Sequence, residues 1–183
     1  MMRAVFIRHA ATRGNMEHRY IGVTDESICK EGAAALLPHY PDVKNVICSP
    51  MRRCLETAEI IYPHILPVTV DDMRECDFGS FEGRNYSDLN GDSQYQAWID
   101  SGGMLPFPQG EDPAAFRRRC CEAFLKAAEK YDDTAFIVHG GTVMAIMERF
   151  ARPEKSFYDY NTENGRGYVC QFDGTVFTSY ERL

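Results

Sequence analysis

The sequence has a single tryptophan, no Cys-x-x-Cys pair and no long apolar run. A bilayer-spanning helix takes about 20 consecutive apolar residues, so no membrane partner is expected. The opening segment carries a four-residue apolar run, Ala4 to Ile7, closed by Arg8. That run is too short for the apolar core of a secretory leader, and the cytoplasm is the expected compartment. The glycine loops of nucleotide enzymes, G-x-x-x-x-G-K-[ST] and G-x-G-x-x-G, are absent. So are H-E-x-x-H, any close histidine pair and any aspartate cluster, which leaves no metal or cofactor expected. Basic charge is also scarce: 20 Lys and Arg stand against 27 Asp and Glu, for a net charge of −7. Nucleic acids bind basic faces, so they are not expected partners. A small phosphate needs only a few cations converging on one pocket.

The seven cysteines are Cys29, Cys48, Cys54, Cys76, Cys120, Cys121 and Cys170. An odd count without paired spacing favours reduced, mostly packed thiols over a disulfide framework. Cysteine phosphatases of the common kind place an arginine six residues after the nucleophile. Here that offset from Cys48 falls on Cys54, and no other cysteine has arginine there.

What is present is ordinary for a globule: 44% hydrophobic and 26% charged residues over 183 positions, read as a single domain spanning 1–183. Three segments share one design, a short apolar run followed by small or polar residues and then a helical stretch. They begin at Ala4-Val5-Phe6-Ile7, at Val46-Ile47-Cys48 and at Ala135-Phe136-Ile137-Val138. In the second, Ser49 reads as a helix N-cap with Pro50 at the first helical position. Asp112-Pro113 signals another helix, with Phe116, Cys120, Phe124 and Ala128 on one face. Two late strands, Gly167 to Phe172 and Thr175 to Tyr180, turn at Asp173-Gly174. The irregular stretch from Asn85 to Asp112 reads as a small helical excursion around Tyr95 to Ile99. Repeated strand–loop–helix units imply an α/β fold with a parallel, helix-covered sheet. Ligands of such sheets bind beyond the carboxyl ends of the strands. The positions to inspect are therefore Arg8-His9, the turn from Ser49 to Arg53, and His139-Gly140.

Two of the five histidines, His9 and His139, stand at these strand ends. A strand-end histidine is by itself more often structural, but the neighbours point elsewhere. Arg8, Thr12, Gly14 and Asn15 surround His9 with groups suited to anionic oxygens. Arg53 falls in a first helical turn, where free N–H groups and the helix dipole attract anions. Gly140 and Gly141 let backbone N–H groups come close to a ligand. Two arginines and two histidines in one crevice would repel one another without an anion. A phosphoryl group, whose oxygens match arginine forks, resolves the conflict. Either Glu75 or Glu82 could be a solvated acid. His18, His39 and His64 read as incidental, and Arg117-Arg118-Arg119 as one solvated helical turn.

With these residues in view, the chain resembles the histidine phosphatase family, the group that includes cofactor-dependent phosphoglycerate mutase. Arg8-His9-Ala10-Ala11-Thr12-Arg13-Gly14-Asn15 is similar to its opening block. Arg19-Tyr20-Ile21-Gly22-Val23-Thr24-Asp25 is similar to its second, and Ser49-Pro50-Met51-Arg52-Arg53 with Thr57-Ala58 to its third. Arg74-Glu75-Cys76-Asp77-Phe78-Gly79-Ser80-Phe81-Glu82-Gly83, Pro108-Gln109-Gly110-Glu111 and His139-Gly140-Gly141 complete the set. The chain departs from the pattern where Ala10 replaces the usual Gly and Ala11 the usual Glu or Gln. The resemblance implies a three-layer sandwich with a mostly parallel central sheet flanked by helices. It implies His9 as nucleophile, Glu75 as proton donor, and Arg8, Arg53 and His139 as stabilisers of the transferring oxygens. Thr12, Asn15, Ile21, Gly22 and Gly140 become the phosphate- and substrate-binding positions.

The leading expectation is a metal-independent phosphatase of small-molecule phosphomonoesters. Chain length and the Arg19-Tyr20-Ile21-Gly22 stretch point toward the α-ribazole-5′-phosphate phosphatase branch of cobalamin assembly. A phosphoglycerate mutase, a phosphate-binding module without turnover, and a protein phosphohistidine phosphatase are the alternatives. Nothing in the sequence sets the oligomeric state or the leaving group.

Overall fold

The apolar run at residues 4–7 forms the middle of strand β1 (Met2–Arg8), and all four side chains are buried in the computed structural model, which describes residues 1–183. After β1 come two short helices, α1 (Arg13–Met16) and α2 (Lys30–Ala34). Strand β2 (Asn45–Cys48), helix α3 (Arg52–Ile61) and the short strand β3 (Val68–Thr69) come next. The excursion holds α4 (Ser93–Asp100), and then α5 (Pro113–Ala128) leads into β4 (Asp133–Val138) and α6 (Gly140–Phe150). Strands β5 (Gly167–Phe172) and β6 (Phe177–Arg182) close the chain.

The six strands make one sheet in the order β3-β2-β4-β1-β5-β6. The first four run parallel, and β5 and β6 add an antiparallel edge. Side-chain alternation along β1 divides the core. Phe6 faces Phe124, Phe136 and Phe177, with ring centroids 5.1–5.9 Å apart. Val5 and Ile7 face Val46, Cys48, Cys54, Ala58 and Ile137 beneath α3. Each of the buried Val, Ile and Phe side chains contributes about 1.5–3 kcal/mol of transfer free energy. Phe124, flanked by five rings, anchors α5 to the sheet.

Two local expectations are corrected. Helix α3 begins at Arg52 with Met51 as its N-cap, and no side chain caps it. Ser49 leaves that role because its hydroxyl turns to His139 Nε2, 2.8 Å away. The last strand starts at Phe177 because Asp173 Oδ1 holds the N–H groups of Thr175 and Val176 in the turn. Asp112 caps α5 at Ala115 N as its sequence implies, with Pro113 in the first turn.

Register brings the site together. Arg8 pairs with Val138 across β1 and β4, and Cys48 with Ile137 across β2 and β4. The residues that end these three adjacent strands therefore emerge side by side at the carboxyl edge of the sheet, where ligands of parallel sheets bind. The His9 N–H even extends the ladder, donating to Val138 O at 2.9 Å.

Candidate active site

His9 and His139 stand just past paired strand ends, and their rings meet edge to face at 5.2 Å between centroids. His9 Nδ1 lies 2.8 Å from Ala10 O. A carbonyl only accepts, so this nitrogen carries the proton and Nε2 keeps its lone pair. Burial, reinforced by the charges of Arg53 and Arg8, holds His9 well below the usual imidazole value of 6.5. Its ring is thus a neutral base with one nitrogen free of any protein partner, the form a nucleophile requires.

Arg8 and Arg53 flank this ring with positive charge, and their hydrogen-bond partners are neutral. Arg8 Nη1 donates to Thr162 O at 2.7 Å, while its buried Nε has no partner. Arg53 is fully enclosed. Its Nη1 and Nη2 donate to Thr24 O and Gly22 O, both at 2.8 Å, and its Nε donates to His139 Nδ1 at 3.3 Å. His139 therefore carries its own proton on Nε2 and donates it to Ser49 Oγ. Burial, followed by the charge of Arg53, lowers the His139 pKa well below 6.5 as well. One enclosed and one half-buried guanidinium without an ion pair leave a positive potential suited to an anion.

Glu75 approaches from the loop after β3. One carboxylate oxygen accepts from Cys76 N and the other from Gly141 N, each at 3.0 Å. Burial raises its pKa above 4.5, against these two hydrogen bonds and the nearby arginines. A raised carboxyl value suits a proton donor. Gly141 is small for a reason: a Cβ there would stand 2.3 Å from the Glu75 carboxylate.

A cavity of about 300 Å³ opens over these groups. Arg8, His9, Asn15, Ile21, Glu75 and Gly140 line it. Asn15 Oδ1 accepts from Thr12 N and from Asn164 Nδ2, at 3.1 and 3.3 Å, so its amide nitrogen is left for the pocket. Arg53 and His139 form a layer behind His9 with no exposed surface. Two binding positions are corrected. The Thr12 hydroxyl accepts from Asn15 N as the cap of α1 and is fully buried. Gly22 does not line the cavity: its N–H and carbonyl are engaged by Glu82 and Arg53. Glu82 is bound to backbone rather than solvated. His18, His39 and His64 are exposed.

Several pocket residues had no sequence signal of their own. Trp98, Phe78, Phe107, Phe157 and Tyr158 add aromatic surface to the cavity wall, and Phe116 stands beside Gly141 and Glu75. The lone tryptophan in an irregular, glycine-rich stretch was the available clue. The Arg117-Arg118-Arg119 turn divides, and only Arg118 is solvated. Arg117 lies over the Phe157 ring at 4.3 Å, pairs with Glu148 at 3.3 Å and lines the cavity. Arg119 grips both oxygens of Glu111 and the carbonyls of Asp72, Arg74 and Glu75, which steadies the loop carrying Glu75. Among all residues, no group of three His, Cys, Asp or Glu is placed to hold a metal ion. No helix is long and apolar enough to cross a membrane.

A family model for the histidine phosphatase superfamily, branch 1, matches residues 4–180. The chain belongs to this superfamily. Its relatives include an acid phosphatase of Mycobacterium tuberculosis, 28% identical over 160 residues that cover 82% of this chain and 76% of that protein. A 2,3-bisphosphoglycerate-dependent phosphoglycerate mutase of Corynebacterium efficiens is 27% identical over 165 residues, 81% of this chain but only 62% of the mutase. Among solved structures, a putative α-ribazole-5′-P phosphatase of Escherichia coli superposes with a TM-score of 0.83. At 23% identity, over 97% of this chain and 93% of that one, this likeness establishes the shared fold. The mixed six-stranded sheet flanked by helices is the histidine phosphatase architecture, and the chain is a phosphatase of that superfamily.

Proposed function

We propose that this histidine phosphatase hydrolyses small-molecule phosphomonoesters without a metal, through a phosphohistidine on His9 Nε2. The observation that carries the proposal is the neutral His9 ring, with its free nitrogen between two guanidiniums that have no ion pair. In the first step the Nε2 lone pair attacks phosphorus in line and the bond to the ester oxygen breaks. Glu75 passes its proton to the departing alkoxide. In the second step water attacks the phosphohistidine, Glu75 takes the water proton, and the N–P electron pair returns to Nε2. Arg8, the amide of Asn15 and the N–H face at Gly140 hold the non-bridging oxygens. Arg53 and His139 add positive potential from behind.

The aromatic wall of the cavity supports a leaving group with apolar, flat surface. Arg19 is bound to Glu17 and Asp88, and Arg117 to Glu148, so the rim offers no free cation to a second phosphate or carboxylate. That arrangement favours a phosphatase over a phosphoglycerate mutase. α-Ribazole 5′-phosphate, with its benzimidazole, is the proposed substrate and cobalamin assembly the proposed pathway. A passive phosphate-binding module would need neither the free imidazole nitrogen nor the raised carboxyl of Glu75. The seven unpaired cysteines support a reducing compartment, and the cytoplasm is the proposed location.

The test is phosphate release in EDTA by wild type and His9→Ala. The panel is α-ribazole 5′-phosphate, 3-phosphoglycerate, sugar phosphates and nucleotides. Turnover in EDTA that vanishes in His9→Ala, together with an acid-labile phosphoenzyme in the wild type, is the expected result. Turnover that survives in His9→Ala, or that needs a divalent ion, would refute the mechanism. Equal rates on α-ribazole 5′-phosphate and glucose 6-phosphate would refute the substrate.

A further inference from the structure

Arg53 does not reach its place by packing alone. Its two terminal nitrogens are held by the carbonyls of Gly22 and Thr24, which belong to an irregular loop between α1 and α2. An irregular loop is a poor template for a buried cation unless something fixes it. The same two residues supply the answer. The N–H groups of Gly22 and Thr24 both donate to one oxygen of Glu82, at 2.7 and 2.9 Å. The loop is thus gripped from two sides, by a carboxylate on its N–H groups and by a guanidinium on its carbonyls.

Further contacts fix the Glu82 side of this clamp. Tyr20 and Glu82 pair as an isolated parallel bridge, Tyr20 N donates to Arg84 O, and Gly83 N donates to Tyr20 O. Arg19 Nη1 adds a bond to Gly83 O at 2.8 Å. On the loop, Gly22 packs so tightly that a Cβ would stand 2.0 Å from the Cys76 carbonyl. The segment that carries Glu75 and Cys76 is therefore the surface on which the clamped loop rests. The second oxygen of Glu82 is buried without a partner, an uncompensated acceptor that costs stability and is retained alongside the clamp.

We propose that Glu82 is a positioning residue for Arg53, acting through the backbone of Gly22 and Thr24. The carboxylate fixes the backbone at Gly22 and Thr24 through their N–H groups, and the following peptide units are thereby held with the Gly22 and Thr24 carbonyls facing the guanidinium. Arg53 is then held in the enclosed layer behind His9, where its charge acts on the phosphoryl site. This proposal rests on the assignment of Arg53 to phosphate stabilisation. Glu82 touches neither substrate nor His9.

Calorimetric binding of inorganic phosphate, a product and ligand that needs no turnover, is the test. The proteins are wild type, Arg53→Ala, Glu82→Ala, Glu82→Gln and the Arg53→Ala/Glu82→Ala double variant. Glu82→Ala is expected to weaken phosphate about tenfold in the wild-type background, the scale of one charged hydrogen bond. In the Arg53→Ala background the same change is expected to cost about twofold or less, because the cation it positions is gone. Glu82→Gln keeps an oxygen for both amides and is expected to recover part of the lost affinity. Equal losses in the two backgrounds, or no loss from Glu82→Ala, would overturn the positioning role. If Arg53→Ala itself binds phosphate as wild type does, the assignment of Arg53 fails and takes this inference with it. Should Glu82→Ala not fold, Glu82→Gln and an added Arg53→Ala/Glu82→Gln double variant decide: a loss of equal size in each background, or no loss, overturns the proposal, and a loss confined to the background that retains Arg53 sustains it.

Discussion

The Glu75 carboxylate accepts the backbone N–H of Gly141 at 3.0 Å. The group proposed to move protons is thereby tethered to the first turn of the helix that begins after His139. Chemistry from the irregular β3–α4 connection and chemistry from a central strand end are locked into one geometry. That tether makes the role of Glu75 open to a direct test.

Replacing Glu75 with Gln keeps the size and the Gly141 contact but removes the transferable proton. For alkyl phosphates, whose alkoxides are poor leaving groups, kcat is expected to fall about 10²–10⁴-fold. With p-nitrophenyl phosphate, which leaves without protonation, the first step is expected to be nearly spared. A burst of nitrophenolate followed by slow turnover would be the signature. Equal losses on both esters would remove Glu75 from the acid role.

The pH profile is set by two opposed shifts. His9 must be unprotonated to attack, and burial with the Arg53 and Arg8 charges holds it well below 6.5. Glu75 must be protonated to donate, and burial holds it above 4.5. Falling pH therefore disables His9 only well under 6.5, and rising pH disables Glu75 only above 4.5. kcat/KM is expected to fall as pH rises through the raised Glu75 value, with no acid limb near 6.5. An acid limb centred at 6.5 would show that His9 titrates as an exposed imidazole.

Trp98 belongs to the aromatic wall of the cavity and stacks parallel to Tyr95, with ring planes 13° apart. Trp98→Ala is expected to lower kcat/KM for esters with an aromatic leaving group by about tenfold or more, the range of one lost apolar contact surface in a pocket. Glycerol phosphate, too small to reach that wall, is expected to change little. A uniform loss on both substrates would mean that the residue only supports the fold.

Phe124 separates stability from chemistry. It packs among Phe6, Phe136, Phe150, Phe172 and Phe177, on the far side of the sheet from Arg53. Phe124→Ala is expected to cost about 3–5 kcal/mol in denaturant unfolding. Phosphate release per folded molecule is expected to stay within a factor of two. Loss of activity without loss of stability would contradict this division.

The residues proposed for the chemical step stand out in the sequence because they sit just past apolar strands, and a parallel sheet gathers the carboxyl ends of its strands along one edge. His9, His139 and Arg53 each obey that rule, and Arg8, Asn15 and Glu75 are marked by blocks that resemble those of the histidine phosphatase family. The leaving-group wall is not legible. Trp98, Phe107 and Tyr158 come from turns and short helices where no period links them, and their convergence depends on long-range packing. Arg117 escapes for a related reason: three adjacent arginines on a helix point in three directions, and only packing assigns them. Thr12 and Ser49 show how a residue type can be clear while its partner is not. Both are capping types near a helix start, yet Thr12 caps α1 instead of meeting the phosphate, and Ser49 meets His139 instead of capping α3.

The His9 N–H closes the last rung between β1 and β4. The proposed nucleophile is thereby built into the strand ladder, whereas Trp98, Phe107 and Tyr158 sit on segments outside any strand pair. Substrate preference can drift by substitution in those segments while the phosphoryl-handling apparatus is inherited intact. One scaffold can therefore give rise to paralogues that differ in what they release and share how they release it.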